Sequence, residues 1–200
     1  MSPYQSLDGF MKKLKKRYLG LILLILPVII LSFPARNYAL EPKIMDILIT
    51  NDVENVLLYA RLINGFKPEM ELAILAGIST NFTMSLEVYE ERPLLWDRKI
   101  TEKEIRRTIK YDNLKKTFSV YSGKSEPAAF SDFESAQKAM SDFNGIIATP
   151  MSSLTKGRSY YVLIKIKMAK VRLPLHMENI FLFVSLWDFE TSWYRQNFTY

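Results

Sequence analysis

Six consecutive residue pairs between Ile78 and Tyr89 alternate in character. Ile78, Thr80, Phe82, Met84, Leu86 and Val88 share one side of an extended chain, and Ser79, Asn81, Thr83, Ser85, Glu87 and Tyr89 share the other. Successive side chains of a strand point to opposite faces. A period of two therefore predicts a long strand over residues 78–91, with one face in a core and the other in water. A helix would scatter the same apolar residues around its whole circumference. The rest of the chain must supply a sheet around this strand.

Residues 158–172 repeat the pattern, with Tyr160, Val162, Ile164, Ile166 and Met168 on one side and Tyr161, Leu163, Lys165, Lys167 and Ala169 on the other, before Leu173-Pro174 breaks it. Residues 43–50 and 56–63 are β-rich runs around the turn composition Asn51-Asp52-Val53-Glu54-Asn55, which predicts a hairpin. Residues 100–111 place Ile105, Ile109 and Tyr111 opposite Arg106, Thr108 and Lys110, and residues 116–121 return as a strand after Asp112-Asn113. Between residues 92 and 97 the sequence leaves open whether Leu94, Leu95 and Trp96 fold back on the core or stay partly exposed. Residues 181–198 close the chain with strand-like residues, Trp187 and Trp193 among them.

Two short helices interrupt the strands. Over residues 66–77, Pro68 suits a first helical position, Glu69 and Glu71 suit the positive helix end, and Gly77 suits the stop. Ser131-Asp132-Phe133-Glu134 reads as a capping box with Ser131 as N-cap. Phe133, Ala136, Met140 and Phe143 give that helix one apolar face, and Asn144-Gly145 is the expected end. Seven or eight strands with two short helices predict a mainly β fold: an antiparallel β-sandwich-like domain, preceded by one N-terminal membrane segment.

That segment follows Lys12, Lys13, Lys15, Lys16 and Arg17, and residues 18–33 carry no charge. Sixteen apolar residues lie between an export signal, with about 7–15, and a membrane-crossing helix, with about 17–25. Pro34 and Ala35 extend the run. Asn37-Tyr38-Ala39 is a poor cleavage site, so residues 18–35 read as an uncleaved anchor, with a cleaved signal as the alternative. The expected organisation is a basic cytoplasmic N-terminus (1–17), the anchor or signal (18–35), a linker (36–42) and an exported mainly-β domain (43–200). The positive-inside bias places that domain on the periplasmic side of the inner membrane, or free in the periplasm after cleavage.

The formal charge of +6 divides unevenly, because residues 1–39 hold six Lys/Arg and one Asp, leaving +1 for residues 40–200. Basicity at the membrane end gives no argument for nucleic acid, and no nucleic-acid partner is expected. The absence of cysteine excludes disulfides, thiolate metal sites and a Cys nucleophile.

A helix ending in Ala76-Gly77 before a long alternating strand, then Trp96-Asp97, is one recognisable sequence of features. Tyr111-Asp112-Asn113-Leu114, Ala136 and Ala139 in a capped helix, Tyr160-Tyr161 opening a strand that ends at Leu173-Pro174, and a close on Trp187 and Ser192-Trp193 complete it. This order resembles the proteobacterial domain-of-unknown-function family numbered forty-three ninety, over roughly residues 40–200. The resemblance implies an envelope domain with an N-terminal signal or anchor, often encoded near membrane sensor kinases. It implies no activity, cofactor or catalytic residue.

The residues themselves carry little chemistry. His176 is the single histidine, and no Gly-x-Ser-x-Gly marks a nucleophile for it to serve. No phosphate loop, dinucleotide fingerprint or calcium loop is present, so neither a cofactor nor a metal is expected. Glu90-Glu91 and the Glu102/Glu104 pair are the carboxylates available for glycoside chemistry. One surface feature stands out: residues 98–116 hold eight Lys/Arg against three acidic residues, and Lys165, Lys167, Lys170 and Arg172 add a second basic stretch. If both strands share a sheet, Arg106, Lys110, Lys165 and Lys167 form one basic face. The expected function is a non-enzymatic, membrane-tethered module binding a protein or an anionic envelope partner. The alternatives are a carboxylate-based hydrolase of an envelope glycan and a structural spacer.

Overall fold

A computed structural model describes residues 40–123, 125–168 and 188–200. The expected anchor at 18–35, His176, Lys170, Arg172, Leu173-Pro174 and Trp187 lie outside the described residues. Among the described residues no helix is long and apolar enough to cross a membrane.

Ten strands and two helices follow in order: β1 (Lys43–Asn51), β2 (Asn55–Ile63), α1 (Pro68–Leu75), β3 (Thr80–Glu90), β4 (Arg98–Asp112), β5 (Thr117–Ser122), β6 (Ala128–Phe130), α2 (Phe133–Ser141), β7 (Asp142–Pro150), β8 (Ser159–Met168), β9 (Phe189–Glu190) and β10 (Tyr194–Thr199). They form two sheets, β1-β2-β7 and β10-β8-β3-β4-β5-β6, with β9 joining the same side of β8 as β10. Every pairing is antiparallel.

The alternating strand is the centre of the larger sheet. β3 pairs along its length with β4 on one side and β8 on the other. Phe82, Met84, Leu86 and Val88 are fully buried on its inner face, where Tyr160, Ile164 and Ile166 of β8 join them. From the smaller sheet Leu58, Phe143 and Ala148 enter the same core, and Met70, Ile74 and Met140 cover it from the helices. Phe82 meets the rings of Phe66 and Phe189 edge-on, at 4.9 and 5.7 Å. Each such side chain contributes about 1.5–3 kcal/mol by leaving water. The Thr101 hydroxyl donates to that of Thr149 at 2.9 Å, joining the two sheets.

Local chemistry sets the turns. Asp52 Oδ1 accepts from the Glu54 and Asn55 amides at 2.8 and 2.6 Å, closing the β1–β2 hairpin as expected. Pro68 opens α1, and Gly77 follows it with φ +93°, a conformation that a side chain disfavours.

Three expectations require correction. The N-cap of α2 is Asp132, whose carboxylate accepts from the Ser135 amide at 2.8 Å; Ser131 lies one residue outside. Asn144-Gly145 does not end that helix. α2 stops at Ser141, and Asn144 and Gly145 lie inside β7, where three steps along β7 from Phe143 to Ile146 oppose two along β2. The extra residue is a β-bulge, and Gly145 supplies its positive φ of 65°. The strand count is ten among the described residues, because β6 and β7 carry no alternating signal and the closing stretch holds two separate strands, β9 and β10.

Candidate interaction surface

The outer face of the larger sheet carries the expected basic residues, and register places them. Arg106 and Lys167 both pair with Thr83, one from each side, so the three form one row across β4, β3 and β8. One row along, Glu104 and Lys165 flank Ser85 in the same way. Lys110 lies further along β4, opposite Ser119 of β5. All four named residues therefore share one face, with Lys110 set apart from the two lysines of β8.

Their charges are not equally free. The Lys167 ammonium lies 3.4 Å from Glu104, and Lys165 pairs with Glu190 while lying 4.7 Å from the centre of the Trp193 ring. Lys110 lies 5.6 Å from the Tyr121 ring and has no carboxylate partner among the described residues. Arg106 is exposed and has no carboxylate partner among them either. Among the described residues the uncompensated part of the basic face is thus Arg106 and Lys110, four residues apart on one strand.

Two other cations of the basic stretch point inward. Lys103 donates to the Ile147 carbonyl at 2.6 Å, and burial lowers its pKa from the usual lysine value. Arg107 is buried beneath α2 and donates through Nη1 to the carbonyls of Ala139 and Asp142. Sequence reasoning counted both toward a positive surface. Adjacent Arg106 and Arg107 on one strand must face opposite ways, and that parity is the signal that separates them.

Among the described residues the remaining charges on the outer face are paired, and several cations lie over rings. Lys99 bridges Glu87 and Glu102 at 3.1 and 2.9 Å. Tyr89 and Tyr161 stack with centroids 5.1 Å apart, and the Arg195 guanidinium lies 3.7 Å from the Tyr161 ring. Among the carboxylates considered for glycoside chemistry, Glu90 takes Arg98 at 2.8 Å and Arg92 at 3.5 Å, Glu91 pairs with Arg195, Glu102 with Lys99 and Glu104 with Lys167. The Arg98 guanidinium holds Glu90 below the usual carboxylate value, so Glu90 favours its charged form, the opposite of what a general acid needs. Among the described residues no group of three or more His, Asp or Glu is arranged to hold a metal.

A family model described as Domain of unknown function (DUF4390) matches residues 39–197. The chain belongs to the DUF4390 family. No curated protein and no solved structure matches it. The DUF4390 match runs from the residue before the described domain to within β10, so it covers both helices, nine of the ten strands and most of the tenth.

Proposed function

We propose that this DUF4390 domain is a non-enzymatic binding module of the cell envelope. Residues 18–35 hold it to the inner membrane, and it faces the periplasm. It takes an acidic protein or an anionic envelope polymer on the outer face of the larger sheet. The carrying observation is the pair Arg106 and Lys110, exposed on that face without a carboxylate partner among the described residues. A sheet paired on both sides of its central strand is a rigid platform, and two free cations on it make a fixed positive spot in a nearly neutral domain. The order of five basic residues before an uncharged run supports the topology.

The test compares Arg106→Glu with Lys110→Glu, made together, against Lys138→Glu on exposed α2. Binding to polyglutamate and to vesicles containing phosphatidylglycerol should be salt-sensitive. The double variant should bind about tenfold more weakly or worse, since each charge near an anionic surface contributes about 1 kcal/mol. Equal binding by the two variants returns Arg106 and Lys110 to plain solvated strand. Topology is tested separately: protease added to spheroplasts should digest the domain without lysis.

A further inference from the structure

The loop joining β3 to β4, residues 91–97, presents Leu94, Leu95 and Trp96 at 95, 70 and 92 % exposure. Three consecutive large apolar side chains with almost no shelter are unusual on a soluble face and mark contact with another apolar surface. The loop is nevertheless tightly built. The Arg92 amide donates to Asp97 Oδ1 at 3.0 Å, and the Leu95 amide donates to the Arg92 carbonyl at 3.1 Å. Asp97 Oδ2 accepts from the Tyr161 hydroxyl at 2.9 Å, and Tyr161 is itself held between Tyr89 and Arg195. Glu90 and Glu91 clamp the stem through Arg92, Arg98 and Arg195. The tip is therefore held out in one shape, which reduces the ordering cost of binding.

We infer that Leu94, Leu95 and Trp96 are a docking knob for a second protein that presents an apolar cleft. The rim chooses that occupant: Arg92, Arg98, Lys99 and Arg195 each have a carboxylate partner, which leaves little to attract an anionic bilayer and suits the polar rim of a protein interface. A second copy is a poor occupant. Tip against tip, three side chains offer a few hundred Å², below the roughly 800 Å² per partner of a stable interface, whereas a cleft takes the knob whole and uses the rim as well.

The experiment uses the full chain in its own membranes, with a benzoylphenylalanine photocrosslinker replacing Leu95 or, as a control, exposed Leu72 of α1. Irradiation at position 95 alone should give one discrete protein adduct, which Trp96→Ala abolishes and Arg106→Glu with Lys110→Glu leaves intact. The adduct protein, identified by mass and purified, should bind the unlabelled domain, and Trp96→Ala should weaken that binding at least about tenfold. Circular dichroism of Trp96→Ala should match the parent. Equal adducts from positions 95 and 72, no protein adduct, or an adduct that is the chain itself each overturn the proposal. So does a blue shift of Trp96 emission with vesicles of phosphatidylethanolamine and phosphatidylglycerol at 3:1, which assigns the knob to lipid.

Discussion

The Arg107 guanidinium lies 4.3 Å from the centre of the Phe143 ring, and its Nη1 donates to the Ala139 carbonyl at 2.6 Å and the Asp142 carbonyl at 2.7 Å. These carbonyls belong to the last turn of α2 and the first residue of β7, where the helix leaves acceptors without intrahelical partners. A cation here satisfies them and meets the negative end of the helix. Burial lowers the pKa of the guanidinium, but an arginine remains charged at neutral pH. Arg107 therefore fastens the α2–β7 junction onto the larger sheet.

Arg107→Ala should lower stability by about 3 kcal/mol, because it opens a cavity and strands two buried carbonyls. Arg107→Met should cost about half as much, since it keeps the packing against Phe143 and removes a partly unsatisfied charge, the Nε having no partner. Arg107→Lys should not recover the loss, because one ammonium lacks the planar fork. Urea unfolding of the three variants gives the order.

How much of this was legible in the sequence depended on where the relevant partner lay. The β3 pattern was readable because a central strand with one buried face writes its environment at period two, and β8 was readable for the same reason. The faces of Arg106, Lys110, Lys165 and Lys167 followed from parity. Their pairing did not, since Glu190 and Glu104 reach Lys165 and Lys167 from 25 and 63 residues away. Arg107 escaped because a charged residue on an alternating strand reads as outward unless its neighbour is considered too. Leu94, Leu95 and Trp96 stayed undecided because a loop has no period to read.

Glu104→Gln should strengthen binding to the outer face. It removes the carboxylate facing Lys167, 3.4 Å away, and adds a third free cation beside Arg106. Binding to phosphatidylglycerol vesicles should rise several-fold at low salt and converge with the parent at high salt. Stability should change by less than about 1 kcal/mol, because both side chains of the pair are exposed. Unchanged binding would place the binding surface elsewhere.

The Asp97 latch should respond to acid. The Arg92 amide, then the Tyr161 hydroxyl, hold the Asp97 carboxyl below the usual carboxylate value. A depressed folded pKa means that the latch contributes fully above the unfolded value of about 3.9 and is lost as pH falls through the lower folded value. Loop order, read by exchange of the Arg92 amide or by Trp96 anisotropy, should therefore persist at pH 5 and fail only below the normal Asp range. The Tyr161 phenol is pushed up to about 12, by burial first and Asp97 second. Asp97→Asn should bring it only part of the way back toward 10, because burial remains. A full return in an NMR titration would assign the whole shift to Asp97 and contradict the packing.

Gly145 tests whether the β7 bulge is required by backbone conformation or by space. Its φ is +65°, and a Cβ built there would come no closer than 4.0 Å to anything, the nearest atom being the Tyr59 hydroxyl. Space is therefore available, and any penalty for a side chain must come from the left-handed backbone. Gly145→Ala should cost about 1–2 kcal/mol, since an ordinary L-residue is disfavoured in that region. Gly145→Asn should cost clearly less despite its larger side chain, because asparagine tolerates this conformation. Urea unfolding decides between the two explanations. If the penalty rises with side-chain size, so that Asn is worse than Ala, crowding against Tyr59 sets the requirement; if Ala is worse, the bulge geometry does.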